Sequence, residues 1–122
     1  MDKINFIAII RHLAWCCYQL GAGQDFNEKI NEDQLDSLIN GIKFALDHPD
    51  NTPKESHNNW MKQKIEQGWT LGPVKDFVKK THPDLIPYED LPEVEKNKDQ
   101  MSIMSHQVAV KLWSELSGGN DE

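Results

Sequence analysis

The segment from Trp60 to Leu91 constrains the fold of this chain more than any other part of the sequence. Trp60 and Trp69 lie nine residues apart and bracket a short basic helix, which we expect to end at Gly68. Gly-Pro, His-Pro and Pro-Tyr pairs follow. Because proline fixes φ and removes a backbone donor, only short extended pieces are expected there. So many conformationally demanding residues in one segment suggest a built site.

Four helices are predicted to account for most of the remaining sequence, because apolar residues recur there with a helical period. Asn31 is a good N-cap, and Thr52-Pro53-Lys54-Glu55 is a capping box with proline at the first helical position. The first half of the last helix is almost all polar, so we expect it to be exposed or to contact a partner. The expected helices cover residues 3–20, 31–47, 52–67 and 92–117.

The strand-like pieces are residues 69–75 and 85–87, which are short and limited by proline. We predict that they pair as a ribbon beside the helices. The expected fold class is mainly α, a four-helix domain with a small two-stranded β ribbon. At 122 residues the chain has the size of one domain. We place that domain at residues 1–117 and a disordered tail at 118–122.

The charge of the chain is distributed unevenly. A net charge of -7 argues against binding a nucleic-acid polymer through a basic face. Residues 60–83, however, contain five lysines against Glu66 and Asp76, so this window is +3 and the rest of the chain is -10. A local positive patch on an acidic protein suits a small anion better than a polymer. A solvated lysine face remains the alternative.

Several functional classes find no support in the sequence. No apolar run approaches membrane-spanning length and the first residues lack the layout of a signal peptide, so no membrane partner and a cytoplasmic location are expected. The only cysteines, Cys16 and Cys17, are helix neighbours that cannot easily bridge each other. No Cys/His spacing suggests a metal site, and no cofactor is expected.

Recognisable catalytic motifs are also absent from the sequence. It contains no Ser/His/Asp or Cys/His set with local spacing and no glycine-rich phosphate loop. Lys75-Asp76 and His82 would act as acid and base only in a specific geometry. We therefore expect a protein that is not an enzyme, with hydrolysis of a bound ligand as a weaker alternative.

The sequence W-M-K-Q-K-I-E-Q-G-W-T-L-G-P-V-K-D, followed by H-P-D-L-I-P-Y-E-D-L-P-E-V-E-K-N-K-D, resembles the RyR domain. This module occurs as repeats in ryanodine receptors and as a single copy in bacterial and bacteriophage proteins. The resemblance is dense from about Ser56 to Asp99, and it extends through residues 39–57 to an early helix that contains His12. The single-copy pattern has Asn-Arg near the positions of Trp15-Cys16, so a ligand-binding arginine there is lost or its role has moved to Arg11.

This resemblance implies a mostly helical domain with a small ribbon and a cleft similar to a nucleotide site. In the receptors, adenine-type ligands stack on the tryptophan that corresponds to Trp60. Single-copy members are suspected nucleotide sensors, or proteins that sequester signals in conflicts between phage and host. Because the receptor repeats pair, the resemblance also implies a homodimer or a higher homo-oligomer.

The candidate ligand-binding residues are aromatic rings and cations. Trp60 offers a face on which a base stacks, at roughly 1–3 kcal/mol per base, or it anchors the core. Lys64 shares the helix face of Trp60 because the two are four residues apart. Trp69 follows the helix cap, where core packing is favoured, and Tyr88 supplies a hydroxyl and a ring edge.

Four further basic residues complete the set of candidates. Lys75 and Lys79 would meet phosphate as point charges. Arg11 is the only arginine and lies beside His12 in an apolar helix, where an unpaired charge is very costly. Its expected partner is a structural carboxylate or a ligand phosphate. His12 is either a satisfied core histidine or a ligand contact.

These features lead us to expect non-enzymatic binding of a nucleotide-type anionic small ligand, adenine-containing or a cyclic oligonucleotide. The protein would act as a sensor, or as a phage-type sponge that sequesters a signalling nucleotide in the host cytoplasm. The alternative is a protein-interaction or inhibitor module that uses the Trp60 face and the acidic helix at residues 89–99.

Overall fold

A computed structural model describes residues 1–25 and 29–119. Within these ranges it contains four α-helices, a two-stranded sheet and one turn of 3-10 helix, so the mainly α prediction is confirmed. The elements are α1 (Lys3–Gly21), α2 (Glu32–Asp47), α3 (Pro53–Glu66), β1 (Thr70–Leu71), β2 (Thr81–His82), the 3-10 turn (Tyr88–Asp90) and α4 (Glu93–Leu116).

The second and third helices begin at the capping residues that the sequence indicates. Asn31 and Thr52 each form a reciprocal capping box, with the residue at the third helical position returning a hydrogen bond to the cap. Gly68 has a φ of +89°, which a glycine adopts without strain, and it reverses the chain after α3. The last three residues of the predicted tail, 120–122, lie outside the described residues.

The sheet differs from the predicted ribbon in its second strand. β1 lies within the expected stretch, but its partner is β2 rather than residues 85–87, which are not in a strand. The two strands run parallel, with Thr70 opposite Thr81. A strand of two residues is too short to show alternation, so its sequence carries no periodic signal.

A compact turn between the strands makes this parallel pairing possible. The carboxylate of Asp76 accepts the backbone N–H groups of Val78 at 2.8 Å and of Lys79 at 3.0 Å. Lys80 then adopts a left-handed φ of 55°. Gly72 permits the close approach of β2, since a Cβ atom at this position would lie 2.6 Å from Cβ of Thr81.

The core joins α1, α2 and α4. α1 and α4 pack antiparallel, because the rings of Phe6 and Trp113 lie 5.5 Å apart and the Tyr18 hydroxyl donates to the Val94 carbonyl at 3.1 Å. The buried core cluster consists of Ile7, Ala8, Ile42 and Ala109. Among the helices described, none is long and apolar enough to cross a membrane. Of the two cysteines, Cys16 is half-buried and Cys17 is exposed.

Candidate functional site

A cleft lies between α1, α2, α3 and α4, and the segment around β2 closes one side of it. It consists of two adjoining cavities, which we call the inner and the outer cavity. The inner cavity has a volume of about 180 Å³ and is lined by Arg11, His12, Trp15, Ile30, Gln34, Ser37, Leu38, Trp60, Lys64, Trp69, Lys75, Phe77, His82 and Ser102.

The outer cavity has a volume of about 670 Å³ and shares part of this lining, including Arg11, Trp15, Trp60 and Lys75. Side chains from the end of α1, from the segment after β2 and from the first half of α4 contribute most of the remaining lining. The additional residues are Gln19, Asp25, His57, Pro83, Asp84, Leu91, Glu95, Lys98 and Asp99.

The aromatic wall of the cleft is centred on Trp60. This tryptophan is half-buried, its ring lies 5.6 Å from the stacked ring of His57, and the edge of His82 meets it at 4.8 Å. Trp69 is only 3% exposed and packs edge-on against Phe77 at 5.6 Å. Trp60 therefore keeps surface available for a ligand, whereas Trp69 mainly anchors the segment after α3.

Arg11 brings a buried positive charge to the cleft. Its Nε and Nη1 atoms are buried without a hydrogen-bond partner, and within residues 1–25 and 29–119 no carboxylate pairs with it. Burial lowers the pKa of Arg11 to about 10, so the guanidinium stays charged at neutral pH. A buried cation without a partner is costly, and an anionic ligand would remove that cost.

Lys64 and Lys75 add positive charge to the inner cavity. Lys64 is buried, and its Nζ lies 4.9 Å from the ring centroid of Trp69. Lys75 is exposed over part of its length, and its Nζ lies 5.1 Å from the ring centroid of Phe77. Burial lowers the pKa of both lysines, because a desolvated ammonium group is less stable than a hydrated one.

His82 is a neutral hydrogen-bonding group at the junction of the two cavities. Burial, and next the charges of Lys75 and Lys64, lower the pKa of His82 to about 4. Its Nδ1 accepts the backbone N–H of Asp84 at 3.0 Å, which leaves the proton on Nε2.

Four carboxylates line the outer cavity, namely Asp25, Asp84, Glu95 and Asp99. Burial, and next the carboxylate of Glu95, raise the pKa of Asp84 to about 6. Burial, and next Asp84 and Glu95, raise the pKa of Asp99 to about 7. Lys98 donates to Glu95 at 3.1 Å. The expectation that this half of α4 is exposed or contacts a partner is thus wrong for Glu95 and Asp99, which are half-buried in the cleft wall.

Most of the predicted ligand-binding residues come together at this cleft. The six that line it are Arg11, His12, Trp60, Lys64, Trp69 and Lys75. The ring of His12 stacks on Trp15 at 5.7 Å, and its Nε2 lies 3.6 Å from the Cys16 sulfur.

Tyr88 and Lys79 are the two predicted site residues that do not line either cavity. The ring of Tyr88 lies 6.2 Å from the ring of His57, and the Nζ of Lys96 lies 5.6 Å from the Tyr88 ring centroid. Lys79 is exposed on the turn between the strands. Sequence reasoning missed His57, although it shares a helix face with Lys64 at a spacing of seven residues.

Comparison with known families agrees with this architecture. A family model described as the RyR domain matches residues 46–113, which is more than half of the chain. The matched range contains α3, both strands and most of α4, and therefore Trp60 and Lys75. α1 and most of α2 precede it, so Arg11 reaches the cleft from outside the matched range. On this evidence of sequence, the chain belongs to the RyR domain family.

Proposed function

We propose that this protein binds a nucleotide-type anionic small ligand in the cleft without transforming it. The observation that carries this proposal is the guanidinium of Arg11, whose Nε and Nη1 atoms are buried without a partner among the described residues and which lines the same cavity as the half-buried Trp60. A phosphate would neutralise the guanidinium, and a base would stack on the indole ring.

The cations of the inner cavity favour a ligand with more than one negative charge. Lys64 and Lys75 line this cavity together with Arg11, and burial lowers the pKa of both lysines. A bound phosphate would stabilise their charged forms and raise these pKa values. Binding should therefore weaken with salt and as the pH rises towards the lysine pKa values.

Binding of this kind serves either sensing or sequestration. A sponge needs slow release of the ligand, whereas a sensor needs release that follows the cellular concentration. We place this activity in the cytoplasm, that of the host if the protein is phage-encoded. A protein-interaction role has less support, because Trp60 lies in the wall of a cleft and Glu95 and Asp99 also face it.

The direct test is calorimetry with ATP, ADP-ribose, cyclic dinucleotides and cyclic oligoadenylates. We expect at least one of them to bind with micromolar affinity. Trp60→Ala should weaken that binding about tenfold or more, the effect of removing one stacked ring. Lys79→Ala removes a lysine outside the cleft and serves as the matched control, with unchanged affinity.

Two results would contradict the proposal. One is the absence of binding by every compound at concentrations up to about 1 mM, which corresponds to less than about 4 kcal/mol of binding free energy. The other is conversion of a bound nucleotide into product over time, which would establish an enzyme instead. A partner protein captured through Trp60, with no competition by nucleotides, would support the protein-interaction role.

A further inference from the structure

We propose that the outer cavity binds the hydroxyl groups of a ribose, so that the cleft selects ribonucleotides over deoxyribonucleotides. This inference rests on the proposed function and specifies its ligand. It comes from the juxtaposition, in one continuous cleft, of a cationic inner end and a carboxylate-lined outer end.

The cleft has a cationic end and an acidic end, because the antiparallel helices α1 and α4 both contribute side chains along its length. On α1, Arg11 lines both cavities and Gln19 lines only the outer one. On α4, Ser102 lines both and Glu95 lines only the outer one. Eight residues of helix separate Arg11 from Gln19, or about 12 Å at 1.5 Å per residue. A ligand along this axis has its anion at one end and a carboxylate environment at the other.

An unsatisfied buried acceptor in the outer cavity points to a hydrogen-bond donor on the ligand. Gln19 is only 7% exposed, and its Nε2 donates to the Asp25 carbonyl at 3.0 Å. This bond fixes the amide, while its Oε1 atom is buried and has no hydrogen-bond partner among residues 1–25 and 29–119. A buried acceptor left unpaired costs free energy, and a hydroxyl group of a ligand would satisfy it.

The charge balance of the outer cavity favours a neutral donor over a cation. Lys98 is hydrogen-bonded to Glu95, and Lys75 lines the same cavity. Burial raises the pKa of Asp99 to about 7 and that of Asp84 to about 6, so both hold protons more tightly than ordinary carboxyl groups. Among the described residues, no three His, Cys, Asp or Glu side chains are grouped to hold a metal ion. A carboxyl group accepts from a hydroxyl through its carbonyl oxygen when it is protonated and through either oxygen when it is ionised.

Arg11 and Trp60 line both cavities, so a ribose that joins a phosphate at Arg11 to a base on Trp60 can direct its hydroxyl groups into the outer cavity. The Oγ atom of Ser37, which lines both cavities, is also buried without a partner among the described residues. With phosphate at Arg11 and the base on Trp60, the sugar is the remaining part of the ligand that can reach Gln19 and Asp99. A deoxyribose would leave these acceptors unpaired.

The test is calorimetry with ATP, GTP and CTP, each beside its 2′-deoxy and 3′-deoxy counterparts. We expect at least one ribonucleotide to bind about tenfold or more tightly than a deoxy counterpart, the usual loss for one hydrogen bond to a charged group. Gln19→Met removes the unpaired acceptor at similar volume. It should bring the ratio of the two affinities close to one and leave the affinity for the deoxynucleotide unchanged.

Asp99→Asn is the second variant, in case Gln19→Met disturbs the loop that follows α1. It should also reduce the ratio, whereas Lys79→Ala should preserve it. Equal affinities for ribo and deoxy forms in the wild type would overturn this inference and leave the proposed function standing. Unchanged discrimination in both cleft variants would overturn it as well. Failure of ATP, GTP and CTP to bind would overturn this inference, and the proposed function falls with it only if ADP-ribose and the cyclic nucleotides also fail to bind.

Discussion

At the scale of single residues, Arg11 distinguishes this molecule from an ordinary helical core. It is the only arginine of the chain, and two of its guanidinium nitrogens are buried without a partner. Of the two partners that the sequence allows, a structural carboxylate is not found among the described residues, which leaves a ligand phosphate as the proposal. We therefore expect Arg11 to lower the stability of the folded protein and to strengthen the binding of an anionic ligand.

Arg11→Met should separate these two effects. We expect the free energy of unfolding to stay the same or to rise by about 1–3 kcal/mol, because an apolar side chain of similar length replaces an unpaired buried charge. Nucleotide binding should fall at least tenfold. Urea denaturation and calorimetry measure the two quantities, with Lys79→Met as the control. A loss of more than about 1 kcal/mol of stability would indicate a structural role.

Asp99 gives a second prediction at the scale of single residues, which concerns the pH dependence of stability. Because burial raises the pKa of Asp99 to about 7, the folded state binds this proton more tightly than the unfolded chain does. Its contribution to stability is therefore present at low pH and is lost as the pH rises from about 4 through about 7. The charged or titratable groups around it are His57, Asp84, Glu95 and Lys98.

Asp99→Asn removes this titration and leaves that of the histidines in place. The difference in unfolding free energy, variant minus wild type, should grow between pH 5 and pH 8, at most by about 1.4 kcal/mol per pH unit. Urea denaturation at several pH values measures this difference. A difference that is constant over this range would show that Asp99 has an ordinary pKa.

At the scale of elements, the segment after α3 depends on the close approach of two backbones. β1 and β2 are two residues each, and their pairing brings His82 to the edge of Trp60. Gly72 lies where a Cβ atom would stand 2.6 Å from Cβ of Thr81. The position of β2, and with it one side of the cleft, therefore depends on the absence of a side chain at residue 72.

Gly72→Ala should displace β2 and cost about 1–3 kcal/mol of stability, the usual effect of forcing a methyl group into a packed site. Ligand affinity should fall too, because His82 would move. Gly21→Ala is the matched control, since a Cβ atom there meets nothing within 4 Å. We expect that control to be neutral or slightly stabilising. Thermal unfolding of both variants measures this difference. Equal melting temperatures for Gly72→Ala and Gly21→Ala would contradict the expected displacement of β2.

At the scale of the whole molecule, α1 and α4 carry an apolar outer face that the protein itself does not cover. It consists of Ile9, Leu13, Leu20, Met104, Val108 and Leu112, each between 42% and 67% exposed. Helical spacing places the three side chains of α1 on one face of that helix and the three of α4 on one face of the other. Exposed apolar faces of this kind often mark protein–protein contacts. A second copy of the chain would match this face, since an uncharged apolar face is complementary to itself.

The homodimer therefore stays a prediction, and substitutions on this apolar face can test it. Light scattering at about 100 μM should give the mass of a dimer for the wild type, a concentration well above the Kd of a stable interface. Leu13→Glu with Val108→Glu should give a monomer. Val78→Glu changes an apolar residue that is 93% exposed and outside this face, and should leave the dimer intact. A monomeric wild type would contradict the prediction.

The sequence by itself determined the features that depend on neighbouring residues. The capping boxes at Asn31 and Thr52 and the reversal at Gly68 are local, so the helix boundaries were readable within one or two positions. The spacing of Trp60 and Lys64 placed both on one face of α3. The RyR resemblance rested on the central motif, and the family match confirms it.

Only the tertiary structure decided which distant residues meet. It paired β1 with β2 rather than with residues 85–87, left Tyr88 and Lys79 outside the cleft, and gathered Asp84 and Asp99 within it. The physical reason is that these contacts depend on how the helices pack against one another, and the periodicity of the sequence does not predict that packing. Burial without a partner is likewise a property of packing, so the charge of Arg11 became informative only in the folded molecule.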